Sequence, residues 1–191
     1  MGALATPLDG SKAPHKNSDG SIARTYQLTN FEAIGTPIDR AQLYTPEYRP
    51  VLERMVAHVI SCEAPIFDDL LARRIAGIHG LARATAKLLE ITREVTDPKF
   101  ARLTEAGREV VWSDADVRKM MPFRYASLHV RHHEDIPTAE LTSLALSLWA
   151  VGQTADRTAI LMGQQIGLTR VSGNTRSRFK AAAELARETC V

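Results

Sequence analysis

Residues 64–83 read Ala-Pro-Ile-Phe-Asp-Asp-Leu-Leu-Ala-Arg-Arg-Ile-Ala-Gly-Ile-His-Gly-Leu-Ala-Arg, and their reading decides the fold. The pattern predicts a helix over about 66–78, a break at His79-Gly80 and a second helix beginning near Leu81. Pro65 suits a helix's first turn, where a missing N–H costs nothing. Gly80 is the residue able to leave a helix at positive φ. Ile66, Leu70, Leu71 and Ile75, then Leu81, Leu88, Ile91 and Val95, keep a helical period on the two segments. Asp97-Pro98 closes the second. Two helices joined by a tight glycine turn are the core of a helix-turn-helix.

Upstream, Thr45-Pro46-Glu47 is a helix entry, and Val51, Leu52, Met55, Val56, Val59 and Ile60 then recur on one face. Downstream, Phe100–Thr104 and Arg108–Trp112 flank a turn containing Gly107, which predicts a hairpin with Trp112 as the anchor that seats it. Three helices followed by a hairpin is the order of a winged helix-turn-helix. Residues 113–135 read as a polar connector, with Met120-Met121-Pro122-Phe123 as a packing patch. A helix entering at Ile136-Pro137-Thr138 carries Leu141, Leu144, Ala145 and Leu148. Another, capped by Thr154 or Asp156, runs to Ile166; Gly167 breaks it, and a last helix covers about 172–188. Residues 1–44, rich in Gly, Ser, Pro and Asn at their start, read as a poorly ordered arm, with Tyr26, Leu28, Phe31 and Ile34 available to tack part of it down.

A shift of 87 residues lays Gly80-Leu81-Ala82-Arg83 on Gly167-Leu168-Thr169-Arg170, Asp69 on Asp156, Ala72 on Ala159 and Thr85 on Ser172. The matched residues are those a helix-turn-helix needs: turn glycine, apolar plug, then a basic residue at the start of the second helix. An internal repeat changes the fold assignment. The expectation is a mainly α protein of tandem winged helix-turn-helix-like units with a small hairpin wing: arm 1–44, first unit 45–112, connector 113–135 and second unit 136–191. Val56, Val59, Ile75, Leu81, Leu88 and Trp112 are the candidate first core. Leu144, Leu148, Met162, Leu168 and Phe179 are the candidate second.

The 191 residues carry a formal net charge of only +2, so a nucleic-acid reading rests on where charge sits, not on its total. No apolar run approaches the ~20 residues of a membrane-spanning helix, and no signal-peptide core is present, so a cytoplasmic protein with no membrane association is expected. Cys62 and Cys190 form no disulfide framework and no metal-ligand pair.

Several pieces, in order, resemble a bacterial domain of unknown function, number 3320: Glu63-Ala64-Pro65-Ile66, Arg73-Arg74-Ile75-Ala76, Gly80-Leu81-Ala82-Arg83, Trp112, Ile136-Pro137-Thr138-Ala139-Glu140 and Gly167-Leu168-Thr169-Arg170. The resemblance spans about residues 48–188. That domain usually sits at the C-terminal end of large superfamily 1 helicase-like proteins, which often also carry a small endonuclease-like domain upstream. The resemblance implies a winged-helix-like accessory module in DNA transactions, with double-stranded DNA as ligand and a helicase or nuclease chain as partner. No G-x-x-x-x-G-K-S/T phosphate loop is present, so no helicase residue is carried over.

In a helix-turn-helix the early residues of the second helix reach the bases. The candidate nucleic-acid-binding residues are Arg83 and Lys87 in the first unit, and Arg170, Asn174, Arg176, Arg178 and Lys180 in the second. Between Arg157 and Lys180 there are five basic residues and no acidic one. Arginine pairs bidentately with guanine and asparagine with adenine, while phosphate contacts supply most of the affinity. A basic helical face is equally well a solvated one, and Arg83 and Arg170 equally suit capping of neighbouring carbonyls. Arg73 and Arg74 are expected to meet phosphate or Asp68 and Asp69. His129, His132 and His133 beside Glu134 and Asp135 read as solvated groups, not a metal site. No nucleophile elbow, H-E-x-x-H or C-x-x-C spacing occurs, so neither an enzyme nor a cofactor is expected. A rival reading from another class is a docking module for a helicase or nuclease chain without direct DNA contact.

Overall fold

The computed structural model describes residues 24–35, 37–113 and 121–189. The chain is mainly helical with small sheets. Strand β1 is Arg24–Thr25, helix α1 Arg49–Glu63, β2 Ile66–Phe67, α2 Asp68–Ile78, α3 Ala86–Val95, β3 Arg102–Glu105, β4 Arg108–Val111 and β5 Arg124–Tyr125. Helices α4 Thr138–Leu148, α5 Ala155–Ile166 and α6 Gly173–Thr189 follow, and short 3-10 turns lie at Phe31–Ile34, Pro46–Tyr48 and His133–Asp135.

Ile66 and Phe67, expected to open a helix, instead pair antiparallel with Val111 and Val110. Both are β-prone and fully buried, and the strand-to-strand bonds satisfy backbone groups that a helix's first turn would leave open. Helix α2 therefore starts at Asp68, with two carboxylates in its positive first turn. Pro65 lies before the strand, not in the helix, and the Ala64–Pro65 bond is cis. Strand β4 is central in the order β2-β4-β3. The hairpin pairs Glu105 with Arg108 across a two-residue loop in which Ala106 and Gly107 both have positive φ, 50° and 78°. That geometry matches the twist of the flanking strands.

The apolar residues divide into two cores. Leu52, Met55, Val56, Val59 and Ile60 of α1 meet Leu71 and Ile75 of α2, Leu88 of α3, and Val110 and Val111. Leu81 and Trp112 pack on this cluster while half-buried. Leu141 and Leu144, Ala159 and Met162, and Phe179, Ala182 and Ala183 make the second, with Leu148 and Leu168 at its margin. The candidate core residues fall in the clusters expected of them.

Composition assigned residues 1–44 to a poorly ordered arm. Residues 1–23 lie outside the described residues; much of the rest is built into the first core. Tyr26 and Leu43 are buried, and Arg24 and Thr25 pair in parallel with Arg124 and Tyr125. The patch residue Met120 and the thiol Cys190 also lie outside the described residues. Phe123 packs on the second core and meets Tyr125 edge-to-face at 4.7 Å.

Candidate nucleic-acid interface

The two glycine turns have the same hydrogen bonds. In the first, the Gly80 N–H donates to Gly77 O at 3.0 Å and the Leu81 N–H to Ala76 O at 3.0 Å. In the second, Gly167 donates to Gln164 O at 3.0 Å and Leu168 to Gly163 O at 2.9 Å. Gly80 and Gly167 have φ of 69° and 92°, the left-handed cap that closes a helix by this paired arrangement. Five residues on, the Thr85 hydroxyl accepts the Leu88 N–H at 3.1 Å, and the Ser172 hydroxyl the Thr175 N–H at 3.4 Å. Ala72 and Ala159 are both fully buried. The 87-residue offset is thus a repeat of geometry as well as of sequence.

The turns are longer than expected. Helix α3 begins at Ala86, not near Leu81, because Leu81–Thr85 carry the chain from the glycine cap to the next N-cap. Arg83 and Arg170 accordingly lie in the turns ahead of α3 and α6, and both are exposed. The second turn also requires a glycine of a different kind. A Cβ on Gly163 would sit 2.4 Å from Val171 Cγ2, so only glycine lets the returning segment lie on α5.

The remaining candidate residues separate. Lys87 is exposed, with its ammonium 5.2 Å from the centre of the Tyr44 ring. Asn174 is exposed on the first turn of α6. Arg176 and Lys180 share Asp156 of α5, at 3.2 and 3.8 Å, in half-exposed pairs. Such pairs are worth at most about 1 kcal/mol. Arg178 stands apart. Its guanidinium donates to His133 O at 3.1 Å, to the Ile136 carbonyl, and to Glu105 Oε1 at 3.2 Å. It is a strut between the halves of the chain.

Other arginines are similarly engaged. Arg93 pairs with the buried Asp68 at 2.6 Å, leaving Arg73 to bridge Asp69 and Asp135. Arg74 reaches Glu63, not the Asp68-Asp69 pair. Arg108 lies over the Phe67 ring at 3.8 Å and bonds Asp69 and Asp135. Burial raises the Asp135 carboxyl, but hydrogen bonds and charge from Arg73 and Arg108 outweigh it, holding its pKa below the ordinary value. The hairpin loop is likewise occupied. Glu105 accepts the Thr138 N–H at 2.9 Å and its hydroxyl at 2.6 Å, supplying the N-terminal cap that Pro137 cannot give α4.

Behind these contacts lies a buried network that the sequence did not announce. Glu140 is wholly buried and accepts from Arg124 at 2.7 Å and from Arg131 at 2.8 and 2.6 Å. Arg124 continues to the carbonyls of Glu63, Ala64 and Pro65 at 3.0–3.2 Å. Glu63, also wholly buried, accepts from Thr29, Arg74 and the Tyr26 hydroxyl. Burial opposes ionisation of both glutamates, yet these donors hold each pKa below its usual value. Burial, with the Glu63 charge, pushes the Tyr26 phenol up to about 12. The network joins the N-terminal segment, the first core and the second core into one body.

His132, His133 and Glu134 place donor atoms within 4.8 Å of one another. His132 and Glu134 are exposed, and Arg178 brings positive charge to the His133 carbonyl, which opposes a cation there. Burial and the neighbouring His132 depress the His133 pKa.

Comparison with known proteins bears on the same region. Residues 41–90 match the family model described as "Protein of unknown function (DUF3320)". The matched stretch runs through α1 and α2 into α3 and contains the first glycine turn and Arg83. No curated protein matches the chain, and neither does any solved structure. Among the described residues, no helix is long and apolar enough to cross a membrane.

Proposed function

We propose that this chain is a DNA-binding accessory module built from two helix-turn-helix units, the first of them winged. The observation that carries the proposal is the duplicated turn. Each copy sets an exposed arginine, Arg83 or Arg170, three residues ahead of a capped helix whose first turns carry further exposed basic or amide groups. Such a helix enters the major groove with its N-terminal residues towards the bases. The element order α1-β2-α2-α3-β3-β4, with β4 central, supports the winged reading of the first unit.

On this reading Arg83, Lys87, Arg170, Asn174, Arg176 and Lys180 contact DNA. Arg178 does not, because its donors are taken by the second half's own backbone and by Glu105. The hairpin acts as a joint to α4 in place of the free wing that reaches a phosphate backbone. The module has no catalytic role and no cofactor, and its partners in the cytoplasm are double-stranded DNA and a helicase or nuclease chain. A second reading, docking on such a chain without DNA contact, is favoured by a groove of about 420 Å³ beside α2, whose lining sets Ala72, Leu81 and Leu89 beside Asp69, Arg73 and Arg83.

Fluorescence anisotropy of the full chain against duplex and single-stranded DNA at two salt concentrations tests the proposal. Salt-sensitive duplex binding is expected. Absence of salt-sensitive binding to any nucleic acid refutes it and leaves the docking reading.

A further inference from the structure

The segment just before α1 was read from composition as part of an arm, yet it is folded against the first glycine turn. Leu43 is wholly buried in the first core. His79, the cap of α2, has Nδ1 2.7 Å from Ile75 O, and its Nε2 lies 3.1 Å from the Tyr48 hydroxyl. A carbonyl only accepts, so Nδ1 carries a proton and donates to it, while Nε2 shares a hydrogen bond with the Tyr48 hydroxyl. The same hydroxyl accepts the Asp39 N–H at 3.1 Å. Segment and turn are therefore pinned to each other by a buried imidazole.

Two side chains of this segment reach the candidate interface. The Tyr44 hydroxyl lies 3.2 Å from the Thr85 hydroxyl, the cap of α3, and its ring lies beneath Lys87. Arg40 is exposed, with Nη1 4.0 Å from the position of a Cβ on Gly80. It forms no ion pair among the described residues. Its acidic neighbour Asp39 accepts the Ala41 N–H at 2.8 Å and the Gln42 amide at 2.9 Å, closing the segment's own turn. Arg40 thus comes from a separate part of the chain to stand beside Gly80, at the start of the turn that carries Arg83 and leads to Lys87 and the first turn of α3, where helix N–H groups add positive potential.

We infer that Arg40, positioned by the Tyr48–His79 lock and the Tyr44–Thr85 contact, is a further phosphate-binding residue of this face, gripping the sugar-phosphate backbone beside the groove that α3 enters. The inference rests on the DNA reading above. Phosphate is the fitting ligand because an exposed guanidinium offers several donors, and a row of cations flanking a reading helix fixes its register on a duplex.

The test is duplex binding by the full chain at several salt concentrations. Arg40→Ala should weaken binding and reduce the slope of log K against log salt by about 0.9, one phosphate contact, with an unchanged melting temperature. Arg187→Ala, which removes the same charge from the last turn of α6, should leave the slope as in the wild type. An Arg40→Ala protein with wild-type affinity and slope overturns the inference while the DNA reading stands. So does an equal loss from Arg187→Ala, which would mean that only total charge matters. A wild-type protein that binds no duplex overturns the DNA reading itself.

Discussion

Replacing Glu140 by alanine should be among the most damaging single substitutions in this chain. Its carboxylate is wholly buried and receives donors from two guanidiniums that are themselves only 7% and 3% exposed. Without it, Arg131 keeps one backbone acceptor, the Asp135 carbonyl at 3.3 Å, and Arg124 keeps three carbonyls, but neither retains a counter-charge at that site. Breaking a buried pair in this way costs roughly 3–5 kcal/mol. At about 2–4 °C per kcal/mol for a chain of this size, the melting temperature should fall by about 6–20 °C. Thermal melts followed by far-ultraviolet circular dichroism measure it. Pairing Glu140→Leu with Arg131→Met should recover part of the loss, since apolar replacements of similar volume remove one of the two uncompensated charges and leave only Arg124, which keeps its three carbonyls. A single variant melting within about 2 °C of the wild type would refute the claim that this network ties the halves together.

Three more expectations follow from the geometry. Arg178→Ala should lower the melting temperature, at roughly 1–3 kcal/mol for the acceptors it leaves unpaired, without changing the salt dependence of DNA binding; a flattened slope at unchanged stability would return it to the interface. Gly163→Ala, which meets Val171 at 2.4 Å, should cost about 1–3 kcal/mol in a denaturant melt, whereas Gly77→Ala, which meets nothing within 4 Å, should not destabilise by overpacking. Glu63, Glu140 and Asp135 have folded pKa values below the ordinary 4.5 and 3.8, so the stability they contribute is fully present above those values and is lost as pH falls through the lower folded ones. Melting temperature against pH should therefore drop on the acid side, and a flat acid limb would contradict the network.

Much of this architecture is legible in the residues because it is local. Gly80 and Gly167 need a left-handed turn, Thr85 and Ser172 cap within three residues, and the apolar periods of α1 and α2 define which faces are buried. What the sequence hides is long-range. Arg124 and Arg131 sit in a stretch that reads as a polar connector, and nothing in its composition reveals that they meet Glu140 and the end of α1. Tyr26 is legible as a residue able to tack the arm down, but its bond to the buried Glu63 is not, and Leu43 stands in too short an apolar stretch to give a period. Arg178 was partly readable: at 3.6 residues per turn it and Arg176 lie about 160° apart around the helix. One helix cannot present both to the same ligand, and counting charges along the chain loses that distinction.

The salt dependence of duplex binding, compared across neutralised turns, tests the central claim most directly. The account predicts that Arg83→Ala with Lys87→Ala, and separately Arg170→Ala with Arg176→Ala, each reduce the slope of log K against log salt by up to about 1.8, two contacts at roughly 0.9 each. Combining all four should reduce it by the sum, because the two turns are separate copies of one device. Slopes that stay at the wild-type value in both double variants would contradict the claim that the repeated turns are what the protein uses to hold DNA.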